Sequence, residues 1–300
     1  MGENTKPLEP KEWSELAGQL LANQLQPSDI LNFSEEDFNR YFHYSFEQSA
    51  RMQELIGRSG SISFEISRYE NMGIDIVTRA DSMYPKKVKK RLGNSCPPLF
   101  YSAGNLHLLD SDFVGYVGSR SISSDDMNFT IETVRKTVEK GYGVVSGGAK
   151  GVDTTAEAEA LRLGGSAVAF LSDSMQRKIK SPETIRAIQE GRLLLLSVVK
   201  PDAGFNSGVA MMRNRYIYAQ SSGTVVIKSD YNKGGTWSGA VDNLRHEFCN
   251  TFCWNHTGYN GNMALIKMGA IPIDEAWDGD AADVVIAKRP ATEQLSMFEN

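Results

Sequence analysis

From Asp112 onward the chain alternates between short, nearly unbroken apolar runs and longer stretches whose apolar residues recur every three or four positions. A run that is apolar on both faces suits a strand buried inside a parallel sheet, and the periodic stretches suit the helices that cross over between such strands. The pattern predicts strands over residues 113–117, 143–146, 166–171, 193–199, 223–227 and 251–254. Helices are predicted over residues 125–140, 153–163, 181–189, 208–220, 236–248 and 263–268. The class is α/β, a parallel sheet with helical crossovers.

Upstream the texture is different. Trp13, Leu16, Leu20, Leu21 and Leu25 keep helical spacing, and Ser34 followed by Glu35, Glu36 and Asp37 reads as an N-cap leading into Phe38, Tyr41 and Phe42. Another helix is predicted over residues 46–56, and the stretch from Gly57 to Gly60 breaks the pattern. Residues 1–72 therefore read as a small helical N-terminal domain, residues 73–111 as a connector with one short strand at 74–77, and residues 112–273 as the α/β domain. Residues 274–300 read as an acidic tail with Asp274, Glu275, Asp278, Asp280 and Asp283. The connector holds a basic run, Lys86, Lys87, Lys89, Lys90 and Arg91, of a kind more often found on a solvated face than on nucleic acid.

Composition narrows the function without naming it. The 300 residues carry 32 Lys and Arg against 37 Asp and Glu, a formal charge of −5, which excludes a uniformly basic surface and leaves room for one basic groove. There is no apolar run of membrane-spanning length and no apolar leader near Met1, so a cytoplasmic location without membrane contact is expected. Three Cys and four His lack the spacing of a disulfide scaffold or a transition-metal site, and neither metal nor cofactor is expected.

Three predicted strand ends and one predicted helix carry the chemistry. The first delivers Gly118, Ser119 and Arg120; the second Ser146, Gly147, Gly148, Lys150 and Gly151, ahead of Asp153. Glycines between a strand and a helix let an anion approach the backbone amides, and the helix dipole favours negative charge there. The same glycines also merely permit a tight turn, and for any one turn that reading is at least as common. Neither turn has the GxxxxGK[ST] or GxGxxG order of the nucleotide-binding fingerprints. Arg213, Asn214 and Arg215 lie on a predicted helix, where residues two apart diverge by about 200°. The last strand end presents Lys233, Gly234, Gly235 and Thr236, with Tyr231 and Trp237 as aromatics able to stack on a base. Asp153 reads either as the N-cap of its helix or as a carboxylate that orients arginines, the cap being slightly preferred. In an open α/β sheet all these loops fall on one rim, which suits a polyanion or a single nucleotide.

These motifs, in this order, resemble the DNA-processing protein A family (DprA, also called Smf). The likeness covers Tyr84-Pro85, Pro97-Pro98-Leu99-Phe100-Tyr101 with Gly104, Val117 to Arg120, Ser146 to Ala149 with Gly151-Val152-Asp153, Ala160-Leu161, Arg213-Asn214-Arg215, Gly234-Gly235-Thr236 and Leu265-Ile266 with Gly269-Ala270. The resemblance implies an extended Rossmann-like sheet with helices on both faces, a DNA-binding role for residues 112–273, and no catalysis. It also implies delivery of single-stranded DNA to a RecA-type recombinase and pairing into a homodimer. The family's DNA pocket would fall on Gly118, Ser119, Arg120, Ser146, Gly147, Gly148, Lys150, Arg213, Asn214 and Arg215. Departures are Glu157 where the family usually has His, Lys228 where it has Glu, and Asn255-His256 in place of Pro-Gly; no winged-helix module is expected after residue 273. They point away from natural transformation and toward a divergent branch, one tied to mobile elements or phage defence.

Two further expectations stand beside that one. Gln294, Leu295, Met297 and Phe298 resemble the short peptide with which bacterial replication and repair proteins bind the polymerase III sliding clamp, and a chance match of five residues weighs equally. The alternative function is a Rossmann-like nucleotide sensor or phosphoribohydrolase acting on a mononucleotide, with Asp153 and Glu157 as its acids.

Overall fold

The computed structural model describes residues 5–281, and the apolar runs lie where the pattern put them. The amino-terminal part is helical: α1 (Pro10–Ala22), α2 (Glu35–Phe42), α3 (Phe46–Ile56) and α4 (Ser59–Glu70). Ser34 and Ser45 start α2 and α3 as capping boxes, and Leu16, Leu20, Phe38, Phe42 and Met52 form their shared core. No break occurs at Gly60, which lies in the first turn of α4. That helix is serine-rich and a poor helix former, so tertiary contacts hold it: Tyr69 is buried edge-on against Tyr101, and Glu65 takes the Lys200 ammonium at 2.9 Å.

Residues 73–111 do more than connect. β1 (Asp75–Thr78) and β2 (Leu99–Gly104), with α5 (Lys86–Leu92) between them, join the main sheet. The chain then runs β3 (Phe113–Val117), α6 (Ser124–Glu139), β4 (Gly143–Ser146), α7 (Val152–Arg162), β5 (Ala167–Leu171), α8 (Met175–Lys178), α9 (Pro182–Gln189), β6 (Leu193–Ser197), α10 (Ser207–Gln220), β7 (Gly223–Val226), α11 (Gly234–His246), β8 (Asn250–Trp254), α12 (Asn260–Lys267) and β9 (Ile271–Ile273). The nine strands lie in the order β1-β2-β6-β5-β4-β3-β7-β8-β9. From β6 to β9 neighbours are parallel, whereas β2 pairs antiparallel with both β6 and β1. This is the extended, mostly parallel Rossmann-like sheet, with an antiparallel edge the pattern did not reveal.

Strand alternation sorts the core onto two faces. Phe113 and Val117 meet Val145, Phe170, Leu194 and Tyr216 on the α10 side, while Val114 and Tyr116 meet Phe129, Val134 and Val152 on the α6–α7 side. Crossovers step outward from β3 to β6 in one direction and from β7 to β9 in the other, so the order reverses at the β3–β7 seam. Residues 274–281, the start of the segment read as a tail, lie against this body: Trp277 packs on Phe252, and Lys140 pairs with Asp278 at 2.9 Å. No helix among the described residues is long and apolar enough to cross a membrane.

The basic run forms α5 and is largely occupied. Lys86 and Lys87 pair with Asp110 and Asp112, and Arg91 donates to the carbonyls of Tyr218, Ala219 and Ser221 at 3.4, 3.0 and 2.5 Å. Those carbonyls are the unsatisfied end of α10, where a cation also meets the negative end of the helix dipole. Arg91→Ala is expected to lower unfolding free energy by about 1.5–3 kcal/mol, the range for hydrogen bonds to a charged group. Lys90→Ala, at an exposed site on the same helix, is expected to change the urea midpoint little.

Candidate nucleic-acid interface

At the carboxyl end of the β3–β7 seam the surface opens into a groove of about 450 Å3. A topological switch point is where an open α/β sheet places its ligands, because the loops on either side diverge there and leave a crevice. The loop after β3 supplies Gly118, Ser119 and Arg120, α10 and the residues before it supply Phe205, Arg213 and Asn214, and the loop after β7 supplies Lys228 and Lys233. The first turn of α11, Gly234 to Thr236, completes the lining.

The α11 turn has an open amino end. No side chain caps it, so its leading amides and the positive end of the dipole remain available at the groove. Two hydrogen bonds fix it in place: the Thr236 hydroxyl donates to the Gly118 carbonyl at 3.0 Å, and the Asn214 amide donates to the Gly235 carbonyl at 2.9 Å. Asn214 is thus a positioning group for the turn.

The β4 turn is built differently. The Gly147 and Ala149 amides donate to Asp153 at 3.1 and 3.4 Å, and the Gly148 amide donates to the Ser146 hydroxyl at 3.1 Å. Ser146 is fully buried and donates in turn to Glu157, which also takes the Lys178 ammonium at 3.1 Å. These amides are satisfied inside the turn, and Ser146, Gly147 and Gly148 do not line the groove. Gly147 has another reason to lack a side chain: a Cβ there would lie 1.0 Å from the Arg213 guanidinium. Gly151 likewise makes room for the Ser119 carbonyl, 2.3 Å from where its Cβ would be.

Arg213 and Arg215, expected to share one pocket, part company because residues two apart on a helix point in different directions. Arg213 is 4% exposed, and its Nη1 sits 3.7 Å from the Asp153 carboxylate. Its Nε and Nη1 have no hydrogen-bond partner among the described residues. Burial pushes the Asp153 carboxyl up to about 6 against the pull of Arg213, and burial also lowers the Arg213 pKa. Arg215 forms a two-pronged pair with Asp242 at 2.8 and 2.9 Å and does not line the groove. Asp153 is not the helix cap either; Gly151 holds that position, and the carboxylate turns back onto the glycine turn and Arg213.

Lys150 and Lys233 are exposed, and Arg120 stands at the mouth with its guanidinium 4.6 Å above the Phe205 ring. Phe205, about half exposed, was not singled out in the sequence; its only signal there is a lone aromatic in the polar stretch Ala203-Gly204-Phe205-Asn206-Ser207. Tyr231 is exposed and stands edge-on to Trp237, which belongs to the core. Lys228 was also missed as a lining group; it pairs with buried Asp126 at 3.2 Å and lies over the Tyr259 ring. Burial opposes ionisation of Asp126, but hydrogen bonds from Tyr259, Ser123 and Lys228 together hold its carboxyl below the usual range.

Paired cations occur at both edges of the sheet, Lys178, Arg213 and Lys228 at the carboxyl ends among them. At the amino ends of the strands, Lys86, Lys87 and Lys140 each have a carboxylate at 3.1, 2.6 and 2.9 Å. At the carboxyl ends, Arg120, Lys150 and Lys233 have none within 4.0 Å among the described residues. Exposed cations without counter-charges, on one lip of an acidic protein, are a focused positive field.

Residues 75–279 match the family model for DNA recombination-mediator protein A. The chain belongs to this family. Among its relatives, DNA processing protein DprA of Bacillus subtilis is 24% identical over 218 residues, spanning 71% of this chain and 72% of that protein. The crystal structure of DNA processing protein A from Streptococcus pneumoniae shares the fold, with a TM-score of 0.66 and 22% identity over 89% of this chain and 95% of that one. A structure of DNA processing protein A from Helicobacter pylori, described for its single-stranded DNA binding mode, gives a TM-score of 0.54 and 24% identity over 66% of this chain and 90% of that one. In this member of the recombination-mediator family, the matched segment contains every groove residue named above. The clamp-like residues Gln294, Leu295, Met297 and Phe298 lie outside the described residues.

Proposed function

We propose that this chain binds single-stranded DNA along the carboxyl-end rim of its sheet and hands it to a RecA-type recombinase, without catalysing a reaction on it. Arg120, Lys150 and Lys233 take backbone phosphates, the first amides of α11 take one more, and Arg213 lies beneath the strand as a fixed positive charge. Phe205 and Tyr231 offer ring faces to bases, at about 1–3 kcal/mol per stacked base. The observation that carries this reading is the convergence of Arg120, Lys233 and the uncapped start of α11 on one groove at the switch point of the sheet. Pairing into a homodimer and binding of the sliding clamp through Gln294 to Phe298 belong to the same proposal, each tested separately by sedimentation and by clamp capture with a tail-deleted chain.

A mononucleotide hydrolase has less to work with. Asp153 lines the groove, but its Oδ2 accepts from two amides and faces Arg213, and Glu157, held by Ser146 and Lys178, does not line the groove.

The test is Arg120→Ala, which removes an exposed side chain and leaves the core untouched. Affinity for an oligothymidylate is expected to fall roughly tenfold, the equivalent of one lost charged contact, with an unchanged urea midpoint. Full retention of affinity would remove the groove from the account.

A further inference from the structure

The loop between β6 and α10 carries Phe205 to the groove, and little beside the ring fixes it there. Residues 204–208 are all exposed, and a Cβ on Gly204 would meet no atom within 4 Å. The cation over the ring belongs to Arg120, itself exposed. The place of the ring is therefore set by the two ends of the loop. Downstream, Asn206 starts α10 by accepting from the Val209 amide at 3.1 Å.

Upstream, the loop is fastened by the amino-terminal helical part. Lys200 donates to both carboxylate oxygens of Glu65 in α4, at 3.0 and 2.9 Å, and this pairing holds the Lys200 pKa above its ordinary value. Asp202 lies 3.6 Å from the guanidinium of Arg68, also in α4, which in turn sits 5.0 Å over the Tyr69 ring. Between these two pairs the Pro201 carbonyl accepts from the Gln176 amide and the Ser174 hydroxyl at 2.9 and 3.1 Å, and the Ala203 amide closes a turn onto the Lys200 carbonyl at 2.9 Å. The carboxyl end of α4 is anchored next to the strand that feeds the loop. Tyr69 packs edge-on against Tyr101, and Tyr101 pairs with Ser197, the last residue of β6.

We propose that Glu65 and Arg68 are positioning residues for DNA binding: they clasp Lys200 and Asp202 and so set the Phe205 ring at the groove before a strand arrives. This rests on the single-stranded DNA reading and on Phe205 as a stacking ring, and it gives the helical part a share in binding. Neither Glu65 nor Arg68 lines the groove, so their effect passes through the loop. A loop left loose spreads its ring over many placements, and binding must then select the one that faces a base. A loop already held avoids that cost. The clasp is made of partly exposed ion pairs, with side chains between 31% and 59% exposed, so it steers the loop and adds little to the stability of the fold.

The experiment compares four full-length chains on an oligothymidylate of about 20 nucleotides: the wild type, Phe205→Ala, Glu65→Gln/Arg68→Gln, and all three substitutions together. The glutamine pair removes one charge of each sign and leaves the net charge as it was. Phe205→Ala is expected to lose at least about fivefold in affinity, one stacked base. The glutamine pair is expected to lose roughly threefold, the scale on which exposed pairs act, with little change in urea midpoint. On the Phe205→Ala background it is expected to lose nothing further, because the ring it positions is gone. Full affinity in the glutamine pair overturns the proposal, and so does the same loss with and without Phe205. A Phe205→Ala chain that binds like the wild type would instead remove the stacking reading beneath it.

Discussion

Asp153→Ala is expected to destabilise the protein by about 3–5 kcal/mol, the cost of leaving a buried charge without its partner. The carboxylate is the counter-charge of Arg213 and also the acceptor for the Gly147 and Ala149 amides, so its loss orphans two donors and a buried cation in one step. Urea unfolding with an unchanged m-value measures it. Asp153→Asn keeps an acceptor oxygen and should lose less than the alanine variant. The pair also has a pH signature. Folded Asp153 holds its proton up to about 6, above the ordinary 3.8, so its contribution is greatest below about 3.8 and is lost as pH rises through 6. The stability of the wild type relative to Asp153→Asn should therefore grow as pH falls from 7 to 4. A flat difference over that window would mean that burial does not raise this carboxyl.

Gly151→Ala is the second large effect, and its cause is backbone. Gly151 has φ +86°, and a Cβ would meet the Ser119 carbonyl oxygen at 2.3 Å and the Arg120 backbone at 3.0 Å. A residue forced into that region costs about 1–3 kcal/mol, and the clash adds about 1–3 kcal/mol because neither backbone can swing aside. The loop that carries Arg120 has to move, so DNA affinity is expected to fall together with the urea midpoint. Gly164→Ala is the control: its φ is +80° but no neighbour lies within 4 Å, so it carries the strain without the clash and should leave DNA affinity intact.

The sheet was legible in the sequence because β3 to β8 are buried on both faces and their apolar runs admit no other reading. β2 was not, since Leu99 to Gly104 mixes polar and apolar residues behind Pro97-Pro98 and forms an antiparallel edge on β6. α4 was hidden by its serines and Gly60; what makes it a helix is packing against residues far along the chain. At the interface, the residue types were readable and their roles only in part. A glycine-rich turn looks the same whether the missing side chains make room for a ligand, for Arg213, or for the Ser119 carbonyl. Those alternatives differ by contacts between segments 30 to 70 residues apart. Gly234 and Gly235 line the groove, whereas the bare Cα positions of Gly147 and Gly151 leave room for Arg213 and for the Ser119 carbonyl. Phe205 carries no local pattern and became visible only once the loops were side by side, whereas Lys228 opens the strand-end stretch that runs on to Gly234 and Gly235.

The central claim, that unpaired cations on one lip hold a strand of DNA, is tested most directly by titrating oligothymidylate against the wild-type chain over a salt series. With Arg120, Lys150 and Lys233 each releasing a counterion at about 0.7, log affinity should fall against log salt with a slope of about −2 or steeper. A slope near zero, or tighter binding of a mononucleotide than of the oligonucleotide, would contradict it.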